Sequence, residues 1–593
     1  MSAEIGSLRS GRGERRPLWA SIGAAAALNL PFIVCHPAGT LVDLPLLRSL
    51  AVGLVLFLLP GVAWVGAITA RRRAVCPRPL WVVCASTAVL LLVLTIVRLV
   101  GIPLCGGLVF NGVWLLTNVG VALNFARGGS PTWGIEMRDR STQLAIALFL
   151  AAFGMFFHSA TRVVPPMEDH DFDVLGCGYS LVTRGEPLLV SDHRTVYQFS
   201  HPPLAYLNTA GSFLYFGQLD YLAYYDRASR RALAARRGDA FDPFDGTVGG
   251  LSNGTGDHRV VGRAATDYIV DPPLADGTRR IPVWLLENGV LGQYYERDPR
   301  KLAARTANVF LAALTVAMLG GWIGRMTGSR TMAILVSLAY ATSPEVFVRA
   351  GYGGHFASSN FAVAAALIAL ERREQRQWIS CLLAGGLLAL VNHKLIVLPA
   401  AVVVWQLIGM GKTSISKRLS RSLLHPIVLG FAGGTALFWL WGLSIDPAEF
   451  FHDHLKTHFV DRLTHHNPAG YGGYPSVPRL WLEFCRHTGY LLLPLGIVTL
   501  VLGCVKSKGG QEPLLATYAL LLVVAFSIVD WRQTKHLMPL LLVLYLAPAA
   551  WAVGRRGRLL TVGIAVALLL LWNLRTIAAL AADFRSLPAT PMW

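Results

Sequence analysis

The sequence predicts an all-α polytopic membrane protein of about fifteen transmembrane helices, with one large mixed loop that carries interfacial helices. Three observations predict this. Hydrophobic residues make up 54% of the chain and charged residues only 15%, against roughly 25% charged in an ordinary soluble domain. The apolar residues fall in runs of about 16–25, the length at which a helix crosses a hydrocarbon core about 30 Å thick. The loops between runs alternate between basic and non-basic. Water does not reach the backbone inside a bilayer, so each run must satisfy its own polar groups as helix.

In chain order the runs are 17–37, 46–70, 79–100, 104–124, 141–160, 303–324, 331–348, 356–371, 378–391, 394–410, 424–443, 487–505, 514–530, 537–553 and 558–580. The pair 378–391 and 394–410 reads equally as one long helix broken at Asn392-His393-Lys394. The first run follows a basic arm, as a secretory signal would. No small-x-small cleavage site closes it and further runs follow at once, so it reads as a retained helix.

The net charge of +19, from 53 Lys and Arg against 34 Asp and Glu, would suit a nucleic-acid binder if it lay on one face. It lies instead in alternate short loops: Arg71-Arg72-Arg73, Arg127 with Arg138 and Arg140, Arg325 with Arg330, Arg372-Arg373, Lys412 through Arg421, Lys506 with Lys508, and Arg555-Arg556. That is the positive-inside pattern, so the charge is a topology signal and no nucleic-acid partner is expected. The N-terminus, with Arg9, Arg12, Arg15 and Arg16, falls on the cytoplasmic side. The two long loops, 161–302 and 444–486, fall on the extracytoplasmic side. The expected location is a multi-pass protein of a bacterial-type inner or plasma membrane. Five of the eight cysteines lie in runs as small apolar residues, and no spacing pairs Cys177 with Cys485.

The chain divides into an N-terminal four-span extension, 1–126, a polar cytoplasmic linker, 127–140, and a membrane core, 141–593. Within the large loop, 165–200 is acidic and rich in turn residues. Residues 203–236 mix apolar and aromatic side chains, as in Leu204-Ala205-Tyr206-Leu207 and Tyr221-Leu222-Ala223-Tyr224-Tyr225, which predicts helices lying along the outer surface. Residues 237–280, rich in Gly and Asp, read as irregular.

Directly after the fifth run stands Met167-Glu168-Asp169-His170-Asp171-Phe172-Asp173. Carboxylates this close repel one another and need solvent, a cation or a function to hold them at a membrane surface. A solvated acidic loop is the bland explanation. Further on, His201-Pro202-Pro203-Leu204 opens an apolar aromatic stretch. Two prolines cannot continue a helix but can start one.

In order and spacing, these features resemble the first outer loop of membrane glycosyltransferases of the dolichyl-phosphate-mannose–protein mannosyltransferase family, within the C superfamily. The counterparts are Asp171-Phe172-Asp173, a helix ending in Gly over Tyr179-Ser180-Leu181-Val182-Thr183-Arg184-Gly185, then His201-Pro202-Pro203-Leu204, Phe216-Gly217, and Ala304-Arg305-Thr306-Ala307-Asn308. The resemblance covers the large loop; the later runs agree in layout, and the extension 1–126 is no part of it. It implies a polyprenyl-phosphate-linked sugar as donor, transfer with inversion to a protein, lipid or polysaccharide acceptor, and a carboxylate as general base. Asp169, Asp171 and Asp173 are the candidates, and spacing back from Gly185 favours Asp171. Some relatives hold a divalent cation, manganese or magnesium, at this motif, for which Asp169 and Asp171 would be the ligands. His201, Pro202 and Tyr197 are candidate substrate-binding residues.

A lipid phosphate needs cations at the membrane interface. Arg305, His393, Lys394, Arg532 and Lys535 are the candidates, with Arg349, His355 and His536 in the same zone. Lys and Arg at helix ends also snorkel. His393-Lys394 stands apart because polar groups within an apolar stretch are costly. The second long loop carries His452, His454, His458, His465 and His466. His454 and His458 have a zinc-like spacing, and the competing explanation is solvated histidines in an acceptor-binding loop. Two other functions are weighed: a transporter or flippase, whose usual internal repeat is not seen, and a non-catalytic scaffold, which leaves the ordered motifs unexplained.

Overall fold

The computed structural model describes residues 18–37, 44–69, 79–102, 106–127, 139–163, 177–178, 181–182, 185, 187–191, 194–197, 199, 201–216, 259–264, 267–271, 280–282, 299–352, 354–371, 377–409, 414–461, 464, 476–506, 512–528 and 534–586. The fold is all-α and polytopic, and every apolar run is helical, some of them as two helices in succession, such as Pro45–Phe57 and Leu59–Thr69. Among the described residues, seven helices are long and apolar enough to cross a membrane, or up to nine if each of two bent pairs is one span. The remaining runs form helices of 10–17 residues, short of a straight crossing. The shortfall against about fifteen full spans has local causes. Pro344 starts a second helix after Arg330–Ala341, bending that pair by 67°, because proline has no N–H to continue the ladder. Gly489, at φ 79°, ends Val477–Thr488 before a 98° bend.

Lipid-facing and protein-facing helices are distinct. Leu560, Ile564, Leu568 and Leu571 form an exposed stripe along the last helix, Arg556–Ser586. Helical spacing puts these residues on one face, and in a membrane protein such a stripe faces acyl chains. The helix Pro299–Thr327 is the opposite case: residues Arg305 through Leu311 are all buried. It packs against Arg140–His158, Arg330–Ala341, Phe356–Glu371, Pro45–Phe57 and Pro203–Tyr215. Glycines permit these approaches. A Cβ on Gly53 would collide with the Phe310 ring, and one on Gly320 with Leu148. Asp139 starts Arg140–His158 as an N-cap. The Ser141 hydroxyl and the Thr142 N–H hold its carboxyl down to about 2.

Helices Gln377–Val391 and Pro426–Ile445 meet backbone to backbone. A Cβ on Gly385 would strike the Ile427 carbonyl, and one on Gly430 the Leu382 carbonyl. Small residues at such crossings let dispersion act over the whole contact. At the far end of Gln377–Val391 the helix breaks where the sequence suggests. Asn392 is extended, at φ −162° and ψ 114°, and its side chain accepts from the Lys394 N–H at 3.1 Å. A 3₁₀ turn, His393–Ile396, then leads into Val397–Gly409. The first half packs mainly on Pro426–Ile445 and the second mainly on Glu512–Ile528.

The large loop differs from expectation in two places. A helix forms at Pro203–Tyr215, as the His-Pro-Pro-Leu start requires. It is enclosed rather than open on a surface, with every residue from Thr209 to Tyr215 buried. The stretch read as irregular contains two strands, Arg259–Ala264 and Asp267–Asp271, of an antiparallel sheet completed by Arg280–Pro282 at its end. The β-branched pairs Val260-Val261 and Ile269-Val270 outweigh the surrounding glycines. A bulge falls between Val260 and Gly262. A second hairpin pairs Leu188–Ser191 with Arg194–Tyr197. Cys177 is buried and Cys485 half-buried.

Candidate functional site

His201 enters the core at the head of the helix Pro203–Tyr215. Pro202 is its N-cap at φ −65°, ψ 157°, so the chain turns sharply and His201 lies buried beneath it. Its ring stands 4.2 Å from that of buried His355, with Tyr206 at 6.2 Å. A sequence of rings continues from there. His355 lies 4.4 Å from Phe356, Phe356 lies 6.0 Å from His536, and His536 stacks on Phe526 at 6.1 Å and 3°.

A small pocket opens at the end of this sequence. Its polar lining is Ser359, Asn360, Asn392, Lys394 and His536; its walls include Phe356, Leu522 and Phe526. The amides are held in place. Asn392 Nδ2 donates to Ser359 Oγ at 3.2 Å, and Asn360 Nδ2 donates to the Tyr340 hydroxyl at 3.0 Å. Lys394 therefore reaches the pocket from a helix break whose geometry Asn392 fixes. A lysine, a histidine and two amides, with no carboxylate among the described lining residues, suit an anion, and the apolar walls strengthen each contact by lowering the local dielectric.

Two arginines meet across Tyr352, and one of them, Arg349, also lies over Phe356 of the pocket wall. Arg305 is fully buried, donates to the Ala160 carbonyl at 2.7 Å, and lies 5.6 Å from the Tyr352 ring. It thus ties the two membrane edges of the large loop together and does not snorkel. Arg349 lies 5.2 Å from the same ring and 5.8 Å from Phe356. Its partner is buried Glu345, at 3.2 Å, and His487 faces the other carboxylate oxygen at 3.4 Å. Asn308 Nδ2 donates to the Tyr352 carbonyl at 2.7 Å and also to the Gly354 carbonyl.

His393 turns away from the pocket lining, its ring 5.0 Å from His454. His454 is enclosed by Phe438, Trp439 and Phe450 at 4.9, 6.1 and 5.1 Å. Beside it Asp453 accepts the Phe199 N–H at 2.6 Å, and Phe199 packs on Phe450 and Trp441. The second long loop is thereby fastened two residues ahead of His201. The helical turn Phe451–Val460 is a π-helix, a form frequent at functional positions.

Of the residues singled out by sequence, His201 meets His355, His393 meets His454, and Lys394 shares a pocket with His536. Arg305 stands beside Arg349 across Tyr352. Tyr197 ends the hairpin strand Arg194–Tyr197, and Lys535 lies in the turn Thr534–Leu537. Asp169, Asp171, Asp173 and Arg532 lie outside the described residues. Among the described residues, no three His, Cys, Asp or Glu side chains converge as metal ligands. Sequence reasoning missed Glu345, Tyr352, Phe356 and His487. Glu345 carried a signal, an acidic residue four before Arg349 within an apolar stretch; the aromatic residues carried none.

No protein-family model matches the chain, and no curated protein matches it. Among solved structures it is similar to ArnT from Cupriavidus metallidurans bound to undecaprenyl phosphate, at 15% identity over 74% of this chain and 70% of that one, with a TM-score of 0.44. It is also similar to the same protein in the apo state, at 12% identity over 70% of this chain and 60% of that one, with a TM-score of 0.42. A likeness this remote carries no argument about activity.

Proposed function

We propose that this protein is a glycosyltransferase that moves a sugar from a polyprenyl-phosphate donor to an acceptor on the extracytoplasmic face, with inversion at the sugar carbon. The observation that carries the proposal is the position of His201. The head of the His-Pro-Pro-Leu motif sits 4.2 Å from His355, one ring sequence away from a pocket lined by Lys394 and His536. The motif that resembles a lipid-sugar transferase and the cations that a phosphate needs therefore occupy one region.

In the proposed reaction Asp171 takes the acceptor proton, and the acceptor oxygen or other nucleophile bonds to the sugar carbon. The bond from that carbon to the phosphate oxygen breaks, leaving polyprenyl phosphate. Lys394 and His536 stabilise the charge that grows on the phosphate. Asp169 and Asp173 flank the base, and a manganese or magnesium ion at Asp169 and Asp171 belongs to the proposal as an option that metal rescue tests. The test of the function is to incubate purified protein with a panel of polyprenyl-phosphate sugars and a membrane extract as acceptor, and to follow release of polyprenyl phosphate. Release from none of the panel by folded protein overturns the proposal.

The helix break at Asn392 favours a second function, since discontinuous helices also build transporter sites. A flippase would move the intact lipid-linked sugar across liposomes and release no polyprenyl phosphate.

Two further results are expected. Lys394→Met and Arg532→Met should each weaken use of limiting donor by ten- to a hundredfold, about 1.5–3 kcal/mol for a lost charge-assisted contact, without loss of expression. Normal turnover at limiting donor would reduce both to snorkelling cations. A cysteine at Ser191 should react with an impermeant thiol reagent on intact cells, and one at Ser414 should not. The reverse pattern would place the site on the wrong side for the proposed chemistry.

A further inference from the structure

The helix Pro203–Tyr215 carries His201 at its N-terminal end, and its C-terminal end is held by a part of the chain outside the family resemblance. Arg48, in the first turn of Pro45–Phe57, donates from Nη2 to the Phe216 carbonyl at 2.9 Å, and its guanidinium lies 5.0 Å from the Phe216 ring. A helix C-terminus has carbonyls without helical partners and a partial negative charge, so one arginine answers both. The side of the helix is held as well. Phe110 meets Tyr215 edge-on at 5.5 Å. A Cβ on Gly211 would come within 2.8 Å of Leu56 and 3.2 Å of Leu90, so the missing side chain there admits the extension.

A second arginine meets the loop at its other marked point. Gly185 ends its helical turn at φ +80°, its N–H donating to the Leu181 carbonyl at 2.8 Å. That left-handed conformation suits glycine. A Cβ there would also collide with the Arg98 guanidinium, from the end of Pro79–Leu99. The Gly185 carbonyl accepts from Trp441 Nε1 at 2.8 Å, so the turn is gripped from both sides.

We infer that the N-terminal helices are the positioning frame of the site, and that Arg48 sets the axial position of His201 through the helix Pro203–Tyr215. That helix has 13 residues, about 20 Å of rise, and a helix transmits a shift at one end to the other. Arg48 is a positioning residue: it holds the far end of the helix from His201 and acts only through it. This inference rests on the proposed glycosyl transfer for its activity readout, and a second readout is independent of activity.

The experiment compares Arg48→Met, Arg48→Lys, His201→Ala and the double variant Arg48→Met/His201→Ala. Sugar transfer by Arg48→Met is expected to fall about tenfold or more, the loss of one charge-assisted contact, with Arg48→Lys recovering part of it. In the His201→Ala background, Arg48→Met should add little, because residues acting through one another are not additive. Independently of any donor, carbethoxylation of His201 by diethyl pyrocarbonate, followed by mass spectrometry, should run at least about threefold faster in Arg48→Met, as local opening exposes the ring. An unchanged carbethoxylation rate overturns the inference, as does full additivity of the two substitutions. If no donor is used by the wild-type protein, the transferase proposal falls while the carbethoxylation result still decides this one.

Discussion

Asp171→Asn is expected to abolish sugar transfer, with a drop of at least about a hundredfold for a lost general base, while insertion and expression stay normal. Asparagine keeps the size and most of the hydrogen bonding of aspartate but cannot accept the acceptor proton. The choice of Asp171 rests on its spacing from Gly185, the residue that ends the next helical turn at positive φ. Asp169→Asn and Asp173→Asn should be milder. If they hold a cation, excess manganese or magnesium should partly restore them, whereas no metal restores Asp171→Asn. A fully active Asp171→Asn beside an inactive Asp169→Asn would move the base by two residues and leave the enzyme class intact. Normal transfer by all three single variants and by the triple variant would remove this loop from the chemistry.

Glu345→Ala should be the most destabilising single change near the site. Glu345 is buried, pairs with Arg349 at 3.2 Å, and faces His487 at 3.4 Å. Its removal leaves the Arg349 charge in a low-dielectric region without that carboxylate, and breaking a buried pair from one side costs about 3–5 kcal/mol. Thermal unfolding in detergent should show a clear loss of stability. The double variant Glu345→Ala/Arg349→Met should recover much of it, because both members of the pair are then replaced. A single variant as stable as wild type would mean that Arg349 finds another anion. A double variant no better than the single would mean that packing around Glu345, and not its charge, is what matters.

The membrane helices were legible because a bilayer imposes a length and an apolar composition on each one. Even the break at Asn392-His393-Lys394 showed, since three polar residues interrupt an apolar stretch. The sequence also drew attention to His201, which the fold buries, and to Lys394, which lines a pocket, for a related reason: a proline pair starts a helix, and a cation in apolar surroundings is costly. What the sequence hid was pairing across distance. Nothing near Arg305 announces the Ala160 carbonyl, and nothing near His454 announces Phe438 or His393. Those contacts depend on which helices adjoin, and here glycine at Gly385 and Gly430 decides that, by allowing two backbones to touch. A glycine in an apolar run looks the same whether it lies in a contact or faces lipid. The short strands at Arg259–Ala264 and Asp267–Asp271 were hidden by flanking Gly and Asp, which outweigh a few β-branched residues in any composition-based reading.

The enclosure of the helix Pro203–Tyr215 dictates an order of biosynthesis. Its neighbours include Pro45–Phe57 and Gly106–Ala126, which leave the ribosome before it, and Pro299–Thr327 and Gln377–Val391, which leave after it. At roughly 5–20 residues per second, the chain takes on the order of ten seconds to reach the last of these. During that interval an apolar helix has only half of its seat. The earlier-made helices already offer Leu56, Leu90 and Phe110 as a first wall, so the nascent loop has somewhere to wait. A chain lacking residues 1–126 would have to hold this segment bare until its later partners arrive, and its losses should appear as degradation during synthesis, before any mature protein is available to assay.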